Sequence, residues 1–286
     1  AYDADTAMLS ETLSGTTDTL TAAAAKTVAG FTAQSFQQKN IAGDGSTVVD
    51  IYYNRNSYTV TYAVTGTVDP NPNYKQADYR FGQNVAAEAA AAKAGYDFIG
   101  WANEPAVMPA NDVTATGYFV ARTDTAYQVQ HYKQNLEDDG FTLAETEELT
   151  GKTDTIATAN PKTYTGFTFD GTVEGTVASG NIAGDGSLVL KLYYTRDSYK
   201  VTYQYTGKVP TGASELPAET TEKYGAAVTV AADATAPGYT FSGWSRNDFT
   251  MPAENVTITG SFTANGETPY KVEHYQQNLE DDGYTL

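Results

Sequence analysis

The feature that most constrains this chain is a stretch that occurs twice. Tyr127-Gln-Val-Gln-His-Tyr-Lys-Gln-Asn-Leu-Glu-Asp-Asp-Gly-Phe-Thr-Leu143 returns as Tyr270-Lys-Val-Glu-His-Tyr-Gln-Gln-Asn-Leu-Glu-Asp-Asp-Gly-Tyr-Thr-Leu286. The two histidines, His131 and His274, stand 143 positions apart, and the 286 residues amount to two such periods. Self-similarity at a fixed period marks a modular array, in which each unit buries a small core of its own. The second copy ends the sequence, and no copy opens it.

Two kinds of unit alternate. The first kind, seen whole at 125–197, opens on a strand pattern over Tyr127–Leu136 with Tyr127, Val129 and His131 on one face. Glu137-Asp-Asp-Gly140 reads as a turn, Thr142–Leu149 as a second strand, and Lys162–Thr168 as a third extended stretch. Leu188, Leu190, Leu192 and Tyr194 then alternate inward after the Asn181–Ser187 turn signal. The same unit recurs, cut short, at 1–57. Leu13–Leu20 matches Leu149–Ile156, Lys26–Thr32 matches Lys162–Thr168, and Ile41–Ser46 matches Ile182–Ser187. What residues 1–57 lack is the Tyr-x-Val-x-His strand.

The second kind of unit covers 58–124 and 198–266. Tyr58, Val60, Tyr62 and Val64 alternate as Tyr199, Val201, Tyr203 and Tyr205 do, which predicts strands with one buried face. Gly95-Tyr-Asp-Phe-Ile-Gly-Trp101 pairs with Gly238-Tyr-Thr-Phe-Ser-Gly-Trp244, and Met108–Thr114 pairs with Met251–Thr257, each leading into a closing strand. Residues 267–286 then read as the first strand of a further unit of the first kind. One segment sets propensity against the repeat: Val85–Ala94 is alanine-rich and helix-favouring, while its partner Val228–Pro237 is β-branched and ends in proline. Two copies of one unit share a fold, so 85–94 is expected to be extended or irregular. Junctions such as Asn54–Ser57 and Thr195–Ser198 hold no flexible Gly/Ser linker, which predicts a semi-rigid, elongated array.

Charge and composition narrow the function. With 35 acidic against 17 basic residues the net charge is −18, a surface that repels nucleic acid and anionic membranes. There is no cysteine, hence no disulfide framework, thiolate metal site or thiol nucleophile. No apolar run approaches the roughly 20 residues of a membrane helix, so no membrane insertion is expected within the chain. It opens on Ala1 without a signal peptide, as an excised or mature piece of something longer would. A glycine-rich phosphate loop, a serine elbow and an HExxH helix are all missing, and the expectation is a non-catalytic protein without cofactor or metal.

These residues carry a resemblance. The Tyr-x-Val-x-His-Tyr-x-Gln-Asn-Leu-Glu-Asp-Asp-Gly start, with the later Gly-Phe and Leu-Tyr-Tyr, resembles the mucin-binding-protein (MucBP) repeats of Gram-positive surface proteins. The Tyr-x-Val-Thr-Tyr opening, Gly-Tyr-x-Phe-x-Gly-Trp centre and Met-Pro-Ala-x-x-Val-Thr close resemble the internalin B-repeat, or Listeria–Bacteroides repeat. The resemblance implies a mainly β architecture of small β-grasp-like modules in the stalk of a cell-wall adhesin. It also implies an extracellular place, at the cell wall or in a surface filament of a Gram-positive bacterium. Its implied partners are adjacent repeats or neighbouring copies of the chain, and host mucin or other glycans in the runner-up reading of a direct adhesin.

Each candidate residue has a plain alternative. His131 and His274 lack a second histidine nearby in sequence, and catalysis needs a partnered, oriented base, so a structural strand histidine is favoured. Glu137–Asp139, Glu280–Asp282 and the two Gly-Asp-Gly turns lack the spacing of a twelve-residue calcium loop and read as solvated turns. Trp101 and Trp244 could stack on sugars, but a core anchor suits a small module better.

The displaced strand leaves two readings open. Either a long tandem array is interrupted out of phase, or the first unit is completed by a donated strand. In the second case Tyr270, Val272, His274, Tyr275 and Leu279 form the inter-subunit strand, and subunits join head to tail into a fibre.

Overall fold

The structure is a computed structural model that describes residues 9–64 and 76–286. The chain divides into two compact units, Ala1–Thr123 and Asp124–Leu286. Among the described residues all regular structure is strand, and there is no helix.

In the first unit, β1 (Phe31–Ala33) and β2 (Tyr53–Arg55) form an antiparallel pair. Four strands follow: β3 (Ser57–Val64), β4 (Gln76–Arg80), β5 (Tyr96–Ala102) and β6 (Val113–Ala121). They form one sheet in the order β4-β3-β6-β5, with β3 and β6 parallel at the centre and the outer pairs antiparallel. The alternation of Tyr58–Val64 places Val60 and Tyr62 in a core with Met108 and Ala115, against which Trp101 packs. Residues 85–92 are irregular. They are tied down from outside, because Val85 N–H donates to Ala106 O and Glu88 N–H donates to the Glu104 carboxylate. A polyalanine segment has no apolar stripe to bury, so these tertiary bonds outweigh its helix propensity.

The second unit begins with β7 (Thr125–Gln134), β8 (Phe141–Gly151), β9 (Ile156–Thr158), β10 (Phe167–Phe169), β11 (Ser179–Asn181) and β12 (Val189–Arg196). The main sheet has the order β10-β12-β7-β8, again with its first and last strands, β7 and β12, parallel and adjacent, while β9 and β11 form a small antiparallel pair. The turn after β7 closes as the Asp-Gly signal predicts. Asn135 N–H donates to Gly140 O, and the Asp138 carboxylate accepts from Gly140 N–H and the Asn135 amide. Val129, Leu190, Leu192 and Tyr194 form the core with Ile182 and two alanines. The stretch expected to be extended from Lys162 becomes strand only at Phe167.

Next come β13 (Ser198–Thr206), β14 (Thr220–Lys223), β15 (Ala227–Val228), β16 (Tyr239–Phe241), β17 (Phe249–Thr250) and β18 (Val256–Ala264). The order β14-β13-β18-β16 repeats that of the first unit's sheet, with β13 and β18 parallel and the pair β15–β17 to one side. A short hairpin, β19 (Gln276–Gln277) with β20 (Tyr284–Thr285), ends the chain. The strand expected over Tyr270–Leu279 is thus formed at only two residues.

One joint is built twice. A single residue, Asn56 or Asp197, separates β2 from β3 and β12 from β13. Asn56 N–H donates to Gly30 O while its carbonyl accepts from Phe81 N–H, and Asp197 does the same with Gly166 and Tyr224. Arg55 lies over the Phe31 ring and donates to Phe81 O at 2.8 Å; Arg196 lies over Phe167 and donates to Tyr224 O at 2.7 Å. Gly30 and Gly166 have φ of 78° and 74°, and a Cβ on either would overlap the Phe81 or Tyr224 ring. Only glycine satisfies both demands.

Candidate functional site

A buried polar cluster in the second unit is centred on a residue of the repeated motif. β7 places His131 between Leu192 of β12 and Glu145 of β8, with 0% of its surface exposed. Its Nδ1 stands 2.9 Å from the Tyr194 hydroxyl and its Nε2 stands 2.6 Å from Glu147 Oε1. The Tyr194 oxygen already accepts the amide N–H of Lys162 at 2.8 Å, so its proton is directed to Nδ1. That assigns the ring proton to Nε2, which donates to the Glu147 carboxylate.

Around this core the Lys162 ammonium lies 2.6 Å from Glu145 and 3.2 Å from Glu147, and the Tyr164 hydroxyl donates to Glu145 at 2.8 Å. The bonds from Lys162 and then Tyr164 hold the Glu145 carboxyl below its ordinary value, and the bond from His131 does the same for Glu147. Bonding to Glu145 pushes Lys162 up, and burial, with Glu145 beside it, raises the Tyr164 phenol. Burial raises Tyr194 as well. The arrangement clamps β7, β8, β12 and the 162–164 loop together. Closed to solvent, His131 offers no atom to a substrate.

Part of the same cluster occurs in the first unit. Glu11, Lys26 and Tyr53 stand where the sequence match puts Glu147, Lys162 and Tyr194. The Lys26 ammonium pairs with Glu11 at 2.7 Å, and the Tyr53 hydroxyl accepts the amide N–H of Lys26 at 2.8 Å. The frame around them agrees too. Asp18 N–H donates to Ile41 O as Asp154 N–H does to Ile182 O, and a Cβ on Gly15 would meet Ile41 as one on Gly151 would meet Ile182. Under the same match the position of His131 falls ahead of Ala1. Among the described residues Val48–Ile51 belong to no strand ladder. Val49, Ile51 and Tyr53 are half-buried, whereas their counterparts Leu190, Leu192 and Tyr194 are each 0% exposed.

The residues singled out for strand donation lie on the surface of the second unit. Tyr270 is 88% and Leu279 99% exposed, and Val272, His274 and Tyr275 are exposed as well. Lys271 pairs with Glu273, which also accepts the Tyr275 hydroxyl at 2.7 Å. Trp101 and Trp244 are half-buried core anchors, their ring N–H groups donating to Ala89 O and Ala232 O. The Gly-Asp-Gly turns close on themselves, with Asp44 and Asp185 accepting from Ser46 and Ser187. Among the described residues no group of three or more His, Asp or Glu side chains is placed to hold a metal. Sequence reasoning missed the Glu-Lys-Tyr set. Its signal lay in the matches already drawn and in their extension: Lys26 falls on Lys162, Glu11 stands two positions before Leu13 as Glu147 does before Leu149, and carrying the Ile41–Ser46 match onward puts Tyr53 on Tyr194.

Comparison with known proteins identifies two segments. Residues 58–124 match the family model of the Listeria-Bacteroides repeat domain, and residues 199–266 match that of the divergent InlB B-repeat domain. Both segments are thus similar to repeat domains of this kind, in line with the motifs they carry. No curated protein matches the sequence. Among solved structures, streptococcal high identity repeats in tandem (SHIRT) domains 3–4 from a cell surface protein are similar at 16% identity. That match covers 48% of this chain and 96% of that one, with a TM-score of 0.19. The Bacillus anthracis TIE protein is similar at 9% identity over 81% of this chain, with a TM-score of 0.31, and the match spans 58% of that chain.

Proposed function

We propose that this chain is a non-catalytic, tension-bearing segment of a bacterial surface protein, a stalk or fibre that holds other parts away from the cell. One observation carries the reading: in each of the three four-stranded sheets among the described residues, the first and last strands are parallel and adjacent. Parallel neighbours put the entry of the first strand and the exit of the last at opposite ends of the sheet. Tension along the chain then loads the whole central ladder in shear, and many hydrogen bonds must fail together. The strand order, with a central parallel pair flanked by antiparallel strands, also supports the β-grasp-like description of each module. The division into modules at 1–57, 58–124, 125–197, 198–266 and 267–286 belongs to the same proposal.

The two matched repeat domains, with the MucBP-like motif residues of 125–197, support an extracellular, cell-surface place. In the finer form of the reading, residues 270–286 of one copy complete the incomplete region of the next. Single-molecule extension of the chain tests the mechanical role. Each sheet spans about 65–72 residues, so at roughly 3.3–3.6 Å per residue three ruptures releasing about 20–25 nm each are expected. Smooth extension without ruptures would exclude it.

A further inference from the structure

We propose that the open face of the 57–121 sheet is an interface for a second copy of this chain, centred on Ile99, Tyr118 and Val120. The inference goes beyond the mechanical role above and adds a side-to-side contact between copies.

The sheet buries one face, and the alternation along β6 turns Thr114, Thr116, Tyr118 and Val120 to the other. Tyr118 stands opposite Gly100, and Ile99 is the extra residue where the register of β5 shifts between Phe98 and Gly100. Ile99, Tyr118 and Val120 are 63%, 44% and 50% exposed. The sheet of β13, β14, β16 and β18 is a built-in control. Its buried face carries Val201, Met251 and Trp244 where the first carries Val60, Met108 and Trp101. The facing pair Phe98 and Phe119 recurs as Phe241 and Phe262, which puts Ile99, Tyr118 and Val120 on Ser242, Ser261 and Thr263. There the Ser242 hydroxyl accepts the Ser261 N–H at 2.9 Å. The same strand order forms without the three apolar side chains, so the fold does not require them.

Size and charge point to the occupant. The exposed parts of the three side chains come to roughly 300 Å², the scale of the patches through which monomeric proteins make contacts. With the threonines beside them, a four-stranded face of this length covers about 500 Å². That is one side of a weak protein interface, and it is flat where a small-molecule site is concave. The chain carries a net charge of −18, so most of its surface repels a second copy. This face is different. Its Asp78 and Asp97 are balanced by Arg80 and by Arg122, which follows β6, while Asp112 at the entry to β6 is engaged by the Thr59 N–H. Asp97 faces Val120 across the strands and stands 4.0 Å from Arg122. A copy turned over by a two-fold axis lying in the face near Val120 sets its own patch on this one. It then offers its Arg122 to Asp97 and its Asp97 to Arg122, the self-complementarity that a symmetric contact needs.

The test follows the full chain by sedimentation up to about 0.5 mM, the range in which an interface this small associates. Mass should rise with concentration and level off at two chains, because a symmetric contact of this kind closes on itself. Ile99→Ser, Tyr118→Ser and Val120→Thr together install residues that the 198–264 sheet already carries. That variant should unfold as the parent does while its dimerisation weakens at least about tenfold. Asp97→Arg and Arg122→Asp, both at exposed positions, should each weaken the dimer by setting like charges across it, and mixing the two variants should restore it as a heterodimer. A chain that stays monomeric throughout overturns the proposal and gives the face to an unlike partner. A dimer that the triple variant leaves intact overturns it as well, as do charge variants that mixing does not rescue. The three-rupture pattern is read on single chains, so none of these results touches the mechanical reading.

Discussion

The Tyr194 hydroxyl stands 2.9 Å from Nδ1 of His131 while accepting the backbone N–H of Lys162. One phenol thereby joins the last strand of its sheet to the first strand and to the loop between them. The cluster is thus a tie across the pair of strands that tension would shear, and its removal should be felt by the whole sheet.

Replacing His131 by alanine leaves the Tyr194 proton without its acceptor, takes one donor from Glu147 and opens a cavity at a fully buried position. A loss of about 3 kcal/mol is expected in the 125–196 sheet. Urea unfolding followed by circular dichroism measures it, and His274→Ala, at an exposed site, should change stability by less than about 0.5 kcal/mol.

Stability should fall at both ends of the pH scale. Glu145 and Glu147 are held below their ordinary value of 4.5, so their contribution is complete above that pH and fades as pH falls through their lowered values. Lys162 is held above 10.5 and Tyr164 above 10.0, so their contribution is complete below about pH 10 and fades as pH rises past it. Melting temperature against pH should show both limbs, and Glu147→Gln should flatten the acid one.

Gly166 combines a φ of 74° with a position against the Tyr224 ring. Gly166→Ala should therefore destabilise by about 2 kcal/mol or more, since the strain and the clash add. Arg196→Ala removes the bond to Tyr224 O and the stacking over Phe167. If this joint couples the sheets on either side of it, Arg196→Ala should split one calorimetric unfolding transition of 124–264 into two.

Trp101 meets Tyr62 edge-on at 5.0 Å and donates to Ala89 O. Trp101→Ala should cost about 3 kcal/mol in the 57–121 sheet, measured by thermal unfolding. A tryptophan displayed for sugar stacking would instead leave stability unchanged.

The sequence was most readable where one face of a strand is buried. Alternation at Tyr58–Val64 and at Leu188–Tyr194 gives the central strands directly, because burial on one side forces a period of two. The repeat also overrules local propensity at 85–94, where alanine content alone points to a helix. The two-residue and three-residue pairs were not legible: Ala227–Val228 with Phe249–Thr250, and Ile156–Thr158 with Ser179–Asn181, are too short to carry a period. Nor was the company His131 keeps, since Glu147, Lys162 and Tyr194 lie 16, 31 and 63 positions away and only the fold gathers them. Residues 270–275, where a strand was expected, follow an irregular path.

The central claim, that each sheet is built to resist tension along the chain, is tested most directly by pulling one sheet in two directions. Cysteine handles at Asp124 and Asp197 load β7 and β12 in shear, while handles at Asp124 and Lys152 peel β7 from β8 one pair at a time. Rupture forces several times higher in the first geometry are predicted. Equal forces in both would contradict the account.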